Sequence, residues 1–363
     1  MSLKSAKRVF IVSDTHLGCR SNSKEWLDIV RDYFFNFFIP LVKREYREGD
    51  ILFHLGDVFD NRQSVNLFAM HYAIEIFEEL SKTFKEIHIL VGNHDIARKQ
   101  SNEITGLDIF KHFQNIKIYK HAELIELGSK KALMMPWRRD KEHEIETLIK
   151  YPHADYLFCH SEFQGVQLSR NPKNRHDGGN DVDNFKFYNK VYSGHIHYRQ
   201  KRKNFLMVGN PYEMTRSDLG NQKGIYLLDI ETGEEEFFVN DFSPKFMKIN
   251  LKDALNMSIG DLKSKINNNF IDLFISSETV IKYNLSSLMN LIEGYARKIE
   301  PNIYENEVEM KILMDDTEED STSYKNFDIM TISKKYIEAT NYDEDFKKRL
   351  ISSIKELYKE TNK

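Results

Sequence analysis

Short apolar runs alternate with polar clusters and helix-like stretches from Arg8 to about Asp241. Five of these runs predict strands, namely RVFIVSD, DILFHLGD, EIHILVGN, DYLFCHS and KVYSGH. Runs rich in β-branched and aromatic residues, separated by stretches with helical character, are typical of a layered α/β domain. A later stretch, IYLLDIETGEEEFFVND, predicts a β-hairpin that turns at Thr232 and Gly233.

The pattern changes near Ser243 and Pro244, where helix and strand signals begin to alternate at shorter intervals. Leu288, Ile292, Tyr295 and Ile299 follow a helical spacing, and EVEMKIL then predicts a strand. We therefore predict a main domain at 1–243, a small α/β capping domain at 244–313, a linker at 314–325 and a helical pair at 326–363.

The linker prediction depends on MDDTEEDSTS, which is acidic and has no apolar residue after Met314. Two apolar stripes follow the linker. The first comprises Ile329, Ile332, Tyr336 and Ala339, and the second comprises Phe346, Leu350, Ile354 and Leu357. Such stripes predict two short amphipathic helices, which either fold back onto the chain's own body or dock another protein.

Composition excludes several classes of protein. Among 363 residues there are only two cysteines, Cys19 and Cys159, which are too few for a disulfide framework or a structural zinc site. The longest apolar segment, YFFNFFIPLV, is about half a membrane span. We expect a soluble cytoplasmic protein with no membrane contact. The net charge of -4 neither requires nor excludes a polyanionic partner.

Residues able to bind metal follow each of the five predicted strands. They are Asp14 and His16 in SDTHLG, Asp57 and Asp60 in LGDVFD, Asn93, His94 and Asp95 in VGNHD, His160 in FCHSE, and His195 and His197 in SGHIH. The C-terminal edge of such strands is where α/β folds gather their sites. Carboxylate, imidazole and amide ligands suit manganese, iron or zinc. The sequence therefore predicts a metal centre at this edge.

Two divalent ions held about 3.5 to 4 Å apart need one bridging carboxylate, which we assign to Asp57. Side chains two residues apart on an extended strand share a face. Asp14 with His16, and His195 with His197, are therefore expected to face the metals together. Asp60 either caps a helix or orients a ligand.

The five blocks resemble the calcineurin-like metallophosphoesterases, whose pattern is D-x-H, G-D-x-x-D, G-N-H-D/E, H and G-H-x-H. The resemblance implies that one metal is bound by Asp14, His16, Asp57 and His197, and the other by Asp57, Asn93, His160 and His195. It also implies that His94 lies beside the scissile phosphate and stabilises or protonates the leaving oxygen. Asp95 is expected to orient the His94 ring.

The whole layout is similar to the SbcD-type, or Mre-eleven-type (meiotic recombination eleven), repair nucleases in their short phage form. SDTHLG, LGDVFDNR, VGNHD, MMPW, GHIHYR and GNPYEMT carry this resemblance. It implies a two-sheet sandwich flanked by helices, an exo- and endonuclease dependent on manganese (with magnesium as a substitute), and a homodimer. It also implies that the C-terminal helical pair binds an SbcC-like (Rad-fifty-type) coiled-coil ATPase in DNA repair and recombination. One departure is Asp60, where many cellular members have histidine.

A basic stretch beside the last motif suits a DNA backbone, although a solvated turn would have the same composition. It contains Arg199, Lys201, Arg202 and Lys203, and Arg138 and Arg139 after MMPW are similar in kind. A stand-alone phosphodiesterase or phosphatase remains the alternative function. The protein phosphatases fit less well, because they have Arg directly after the second motif and G-N-H-E in the third.

Overall fold

The computed structural model describes residues 2–98, 100–282, 286–306 and 343–361, together with Met310, Met314 and Ile337. The chain divides into two compact units, Met1–Pro244 and Lys245–Lys363. The predicted domain boundaries within this chain stay predictions. The predicted EVEMKIL strand, the acidic linker and the first predicted C-terminal helix lie outside the described residues, apart from Met310, Met314 and Ile337.

The first unit contains fifteen strands and, besides short helical turns, four longer α-helices among its described residues. The strands are β1 (Ser2–Leu3), β2 (Arg8–Val12), β3 (Ile51–His54), β4 (Ile87–Leu90), β5 (Ile96–Arg98), β6 (Ser101–Thr105), β7 (Ile116–Tyr119), β8 (Glu123–Leu127), β9 (Lys130–Met135), β10 (Tyr156–His160), β11 (Lys190–Gly194), β12 (Gln200–Arg202), β13 (Phe205–Met207), β14 (Gly224–Asp229) and β15 (Glu235–Val239). The helices are α1 (Lys24–Tyr33), α2 (Ile39–Glu45), α3 (Leu67–Thr83) and α4 (Lys141–Lys150).

Two sheets form the framework of this unit. One sheet has the strand order β15-β14-β2-β3-β4-β7, and the other has the order β1-β8-β9-β10-β11-β13-β12. Buried side chains from both sheets, among them Phe53, Tyr119, Phe158 and Tyr192, belong to one apolar cluster. The sheets therefore pack face to face, and the predicted two-sheet sandwich is confirmed.

The five strands predicted from the apolar runs are β2, β3, β4, β10 and β11. The first three are parallel neighbours in one sheet, and the last two are parallel neighbours in the other. Their C-terminal ends therefore lie at a common edge of each sheet. The predicted hairpin is also present, as antiparallel β14 and β15 with Gly233 in the left-handed region at φ 71°.

The second unit is built on a parallel sheet with the order β16-β17-β18. Its described elements are β16 (Phe246–Asn250), α5 (Leu251–Leu255), α6 (Ile259–Ile266), β17 (Phe270–Ser276), α7 (Ser277–Lys282), α8 (Ser286–Glu293), β18 (Lys298–Tyr304) and α9 (Glu344–Thr361). The predicted helical spacing through Ile299 was wrong, because the helix ends at Glu293 and Ile299 lies in β18. The second C-terminal stripe lies on α9.

A search of the helices in the described part of the chain found none with the length and apolar character needed to cross a bilayer.

Candidate active site

The predicted ligand residues lie in loops just beyond the strand ends, except His160, which is the last residue of β10, and several of these loops have unusual backbone geometry. Asp14, His16, Asp57 and His195 all have positive φ, at 52°, 41°, 55° and 79°. Non-glycine residues in this region cost on the order of 1 to 3 kcal/mol each and cluster at functional sites. The predicted extended alternation of Asp14 with His16 was therefore wrong, because left-handed turns rather than a pleated strand direct these side chains.

Asp14, His16 and His197 form one group of potential ligands, whose ligand atoms all lie within 4.8 Å of one another. The Nε2 atoms of His16 and His197 are 3.1 Å apart. The other His16 ring nitrogen, Nδ1, is 3.1 Å from the Asp60 carboxylate and donates to it. In a neutral ring, His16 Nε2 then carries a lone pair directed at His197, an arrangement that a cation would stabilise.

Asp57, His160 and His195 form the second group, and His16, Asp60 and His94 form a third at the rim of the site. His160 Nδ1 donates to the Leu55 carbonyl at 2.7 Å, so that the neutral ring has its lone pair on Nε2. That atom lies 3.2 Å from Asp57 Oδ2 and 3.0 Å from Asn93 Oδ1, and the same Asn93 oxygen is 2.7 Å from His195 Nδ1. Asp57 Oδ2, His160 Nε2 and His195 Nδ1 therefore surround one side-chain atom of Asn93. As a nitrogen this atom donates to all three, and as an oxygen it joins them in facing a common point, as the ligands of a metal do.

The Asp57 carboxylate lies between the two groups. Its Oδ2 atom is 3.2 Å from His160 Nε2 and 3.7 Å from His16 Nε2. Its Oδ1 atom accepts the His94 backbone N–H at 2.7 Å, which fixes the carboxylate plane. Asp57 therefore lies between the two groups, and its predicted role as a bridging ligand stays a proposal, as does the assignment of individual metal ligands.

Glycine is required where these loops pass one another. A Cβ atom on Gly92 would overlap the Asp57 backbone nitrogen and carboxylate, and one on Gly194 would overlap Ser13 Oγ. The glycine in each motif therefore permits close approach of the ligand loops, rather than merely forming a turn. This explains why GNHD and GHIH each begin with glycine.

His94 lies at the rim of the site, half-buried, with its ring centroid 4.8 Å from that of His16. Its Nδ1 atom donates to the Asp60 carbonyl at 2.5 Å. Asp60 therefore uses its side chain to hold His16 and its backbone to hold His94. Of the two roles predicted for Asp60, the structure supports the orientation of a ligand.

Asp95 has a different role from the one predicted. Its carboxylate accepts four backbone N–H groups, from Asp57, Val58, Phe59 and Gly92, at 2.9 to 3.1 Å. Because the Asp60 carbonyl orients the His94 ring, the prediction that Asp95 does so is corrected. Asp95 instead holds the Asp57 loop against the Gly92 loop, and so fixes the position of the bridging carboxylate.

The buried charges make the site attractive to cations. Burial opposes ionisation of Asp57, but His160 and His16 hold the pKa of its carboxyl well below the ordinary value. Burial also lowers the pKa of both histidines, yet neighbouring carboxylates raise it to about 9. The imidazoles of His195 and His197 have lowered pKa values because of burial and neighbouring histidines. The carboxylates that favour a proton on His16 and His160 also favour a divalent cation in its place, and His195 and His197 are neutral imidazoles that suit such a cation.

The predicted basic residues differ in their surroundings. Arg199 lies over the Phe237 ring at 4.2 Å and donates to the Gln222 carbonyl, and Lys201 pairs with Glu235 at 2.7 Å. Arg202 donates to the Gly165 carbonyl, whereas Lys203 is exposed near Asp183. Arg138 is half-buried and Arg139 is exposed. Their role in DNA binding stays a prediction.

Cys159 is buried in an apolar cluster, and burial raises the pKa of its thiol to about 12. This agrees with the prediction that Cys159 is a small core residue rather than a nucleophile.

The sequence analysis missed a buried support for the last metal motif. Lys223, only 4% exposed, donates to the His197 carbonyl at 2.7 Å and to Asp218 Oδ1 at 2.6 Å, and it also contacts Asn210. Tyr212, from the motif GNPYEMT, donates its hydroxyl to the Thr15 carbonyl between the first two predicted ligands. The motif GNPYEMT, which contains Asn210 and Tyr212, was the only sign of this support in the sequence patterns considered above. There it indicated family membership and not a structural role.

Replacing Lys223 with methionine is expected to destabilise the first unit by about 3 to 5 kcal/mol, because Asp218 is then left buried without its partner. Urea unfolding of the purified variant measures this change. The matched control is Lys201→Met, which removes a half-exposed ion pair and should cost about 1 kcal/mol or less. Equal losses in the two variants would contradict the proposed support role.

Residues 7–211 match the family model of the calcineurin-like phosphoesterases. The chain belongs to this family. Every residue of the two ligand groups lies within the matched range. The metallophosphoesterase fold that the five motifs predicted is therefore confirmed, and the phosphoesterase is a hydrolase of phosphate esters.

Curated relatives of this phosphoesterase include two nuclease or repair proteins. Exonuclease subunit 1 of Enterobacteria phage T4 is 24% identical over 334 residues, a match that covers 84% of this chain and 96% of that protein. DNA double-strand break repair protein Mre11 of Methanocaldococcus jannaschii is 22% identical over 272 residues, with coverage of 67% and 69%. These relatives agree with the resemblance found in the motifs.

Among solved structures, the phosphoesterase is similar to a novel archaeal phosphodiesterase, with a TM-score of 0.33 and 19% identity, covering 64% of this chain and 99% of that one. A protein of unknown function from Aquifex aeolicus gives a TM-score of 0.27 and 16% identity, with coverage of 50% and 93%.

Proposed function

We propose that this protein is a DNA nuclease that hydrolyses phosphodiesters with two divalent metal ions, manganese or, as a substitute, magnesium. The observation that carries the proposal is the convergence of two ligand groups on either side of Asp57, with His94 at their rim. The relationship to a phage exonuclease subunit and to a break-repair protein supports DNA as the substrate.

The residues present fit two ions. Asp14, His16, Asp57 and His197 would hold one, and Asp57, Asn93, His160 and His195 would hold the other. Divalent ions bound in this way neutralise phosphate oxygens and lower the pKa of a water molecule that attacks phosphorus.

The chain's own residues set the geometry of the reaction. Asp95 and Asp60 hold the Asp57 loop and the His16 ring, so that few side chains need to move when substrate binds. His94 keeps its Nδ1 proton on the Asp60 carbonyl, which leaves Nε2 as the atom that faces substrate. A protonated Nε2 would donate to the leaving oxygen, as a general acid does.

Homodimer formation through the first unit is part of this proposal. Leu67 and Phe68 at the start of α3 are 74% and 65% exposed, and Ile104 in β6 is 70% exposed. Gly106, two residues beyond Ile104, lies beside Val65, so that these apolar side chains belong to neighbouring segments. Exposed apolar residues in neighbouring segments are typical of a surface buried in an assembly.

The decisive test of function is cleavage of end-labelled linear DNA by the purified protein after metal removal and addition of manganese or magnesium. The nuclease proposal predicts DNA degradation that depends on added metal. A parallel assay with bis-p-nitrophenyl phosphate tests whether the site hydrolyses phosphodiesters at all, independently of whether it accepts DNA. Cleavage of this small ester without any cleavage of DNA would support the stand-alone phosphodiesterase instead.

Binding to an SbcC-like ATPase is assigned to the C-terminal region, of which α9 is described. Deleting residues 344–363 is expected to abolish co-purification with such an ATPase, because Phe346 and Leu350 of the apolar stripe are removed. Cleavage of bis-p-nitrophenyl phosphate should persist. Loss of this cleavage together with a lower melting temperature would instead show that α9 stabilises the chain's own body.

A further inference from the structure

A second feature of the first unit is a cavity of about 590 Å³ between the β5–β6 hairpin and the segment that follows β9. The lining residues are mostly basic or amide side chains. They are Gln100, Asn102, His121, Arg138, Arg139, Asp140 and His143. None of them belongs to the two groups of potential metal ligands.

The two arginines give this cavity a positive charge that is offset only in part, by Asp140 in the lining and by Glu103, whose carboxylate pairs with His121 at 3.1 Å. Among the described residues, no carboxylate lies within 4.0 Å of the Arg138 or Arg139 guanidinium. Arg138 instead faces His121 Nδ1 at 2.7 Å and the Lys120 carbonyl at 3.2 Å. The only acid in the lining, Asp140, accepts the backbone N–H groups of Glu142 and His143 as the N-cap of α4.

The cavity is rigidly connected to the metal-binding edge. The backbone N–H of Trp137, the residue before Arg138, donates to the Val91 carbonyl at 2.9 Å. Val91 lies two residues before Asn93. The buried Asn102 amide donates to the Trp137 carbonyl at 2.9 Å and fixes the same segment. By chain length, the Arg138 backbone lies within about 16 Å of the Asn93 backbone.

This upper limit on the distance means that one nucleic-acid strand bound at the metal site could also reach the cavity. Phosphates of one strand rise by about 3.4 Å along a B-form axis, so that a distance of about 16 Å corresponds to roughly five nucleotides or fewer. Guanidinium groups bind phosphate oxygens in a bidentate manner. Among the other predicted basic residues, Lys201 is paired with the Glu235 carboxylate and Arg199 lies over the Phe237 ring, whereas Arg138 contacts an imidazole and a carbonyl.

We propose that Arg138 and Arg139 bind a backbone phosphate of the substrate strand in this cavity, a few nucleotides from the scissile phosphate. The inference rests on the proposed nuclease function and identifies how the strand is held. The contact is independent of sequence, because it involves phosphate and not a base edge.

The test is the binding of a 5′-labelled single-stranded oligonucleotide of roughly 20 nucleotides, which exceeds a typical site of about 4 to 16, by fluorescence anisotropy in EDTA. The double variant Arg138→Gln/Arg139→Gln is compared with wild type over a range of salt concentrations. The matched control is Lys130→Gln/Lys131→Gln, which removes the same charge at the opposite end of the same strand, β9. If the arginine double variant has a lowered melting temperature, the exposed Arg139→Gln single variant replaces it.

The proposal predicts that the arginine variant binds the oligonucleotide roughly tenfold or more weakly, as expected for loss of hydrogen bonds to charged groups. The slope of log affinity against log salt should decrease by about 0.7 for each lost phosphate contact. The lysine control should retain wild-type affinity. Equal affinities for wild type and the arginine variant, or equal losses in both variants, would overturn the proposal.

A competition arm distinguishes a strand phosphate from a free phosphate. If inorganic phosphate raises the melting temperature of wild type but not of the arginine variant, while oligonucleotide affinity is the same for both, the cavity binds free phosphate and the proposal fails. Because binding is measured without metal, arginine-dependent binding by a protein that does not cut DNA would contradict the proposed nuclease function alone. Cutting without arginine-dependent binding would contradict this inference alone.

Discussion

Replacing Asp57 with alanine is expected to remove both metal ions and to abolish cleavage of DNA and of bis-p-nitrophenyl phosphate. The reason is that Asp57 Oδ2 lies 3.2 Å from His160 Nε2 and 3.7 Å from His16 Nε2, so that both groups lose the same carboxylate. Without the Asp57 carboxylate, the buried histidines have less negative charge beside them, and the site binds cations more weakly. Metal content by mass spectrometry, measured together with turnover, checks this prediction.

The control for this experiment is Asp60→Asn, which changes a carboxylate that accepts the His16 Nδ1 proton and belongs to neither the Asp14 group nor the Asp57 group. Loss of such a supporting contact typically lowers metal affinity by about 10- to 100-fold. At saturating manganese, the control should therefore regain both ions. If Asp57→Ala also regains both ions at saturating manganese, the bridging assignment is refuted.

Replacing His94 with alanine is expected to lower kcat by about 10²- to 10⁴-fold, the usual contribution of a general acid. Both metal ions should remain, because the His94 ring is held by the Asp60 carbonyl and belongs to neither the Asp14 group nor the Asp57 group. Steady-state kinetics and metal content of the same sample provide the measurement. The KM for DNA should change much less than kcat.

The matched control is His112→Ala, which removes an exposed imidazole outside the ligand groups. Its kcat should equal that of wild type. If the His94→Ala protein lacks both ions, the proposal that His94 donates a proton without binding metal is refuted. An unchanged kcat would show that another group serves the leaving oxygen.

Much of the fold followed from the apolar runs, because β-branched and aromatic strands that are buried on both faces have a strong local signal. The runs ending before Asp14, Asp57 and Asn93 are adjacent parallel strands, as expected for a layered α/β domain. The division into two sheets came only from the family resemblance. Pairing between distant strands such as β2 and β14 depends on the whole chain and has no local signature.

In the candidate site, too, contacts between distant segments could not be predicted from local sequence. The sequence motifs predicted that Asp14, His16 and His197 lie together, and they do. Strand periodicity gave the wrong reason for Asp14 and His16, since both residues have positive φ. Asp95 was assigned to the His94 ring because the two are neighbours in sequence. Its four backbone donors come from two loops that approach each other only in the folded chain.

The burial of Lys223 could not be predicted from local sequence. A lysine is ordinarily exposed, and its burial here depends on Asp218 and on the His197 carbonyl. The same holds for Arg138 and Arg139, whose significance comes from the cavity around them. Charge along the chain favoured the stretch from Arg199 to Lys203, yet Lys201 is paired with Glu235, and Arg199 and Arg202 donate to backbone carbonyls.

The most direct test of the two-metal centre is anomalous diffraction from crystals grown with manganese, recorded at the manganese absorption edge. The account predicts two anomalous peaks on either side of Asp57. One should be bound by Asp14, His16 and His197, and the other by Asn93, His160 and His195. A single peak, or peaks away from these residues, would contradict it.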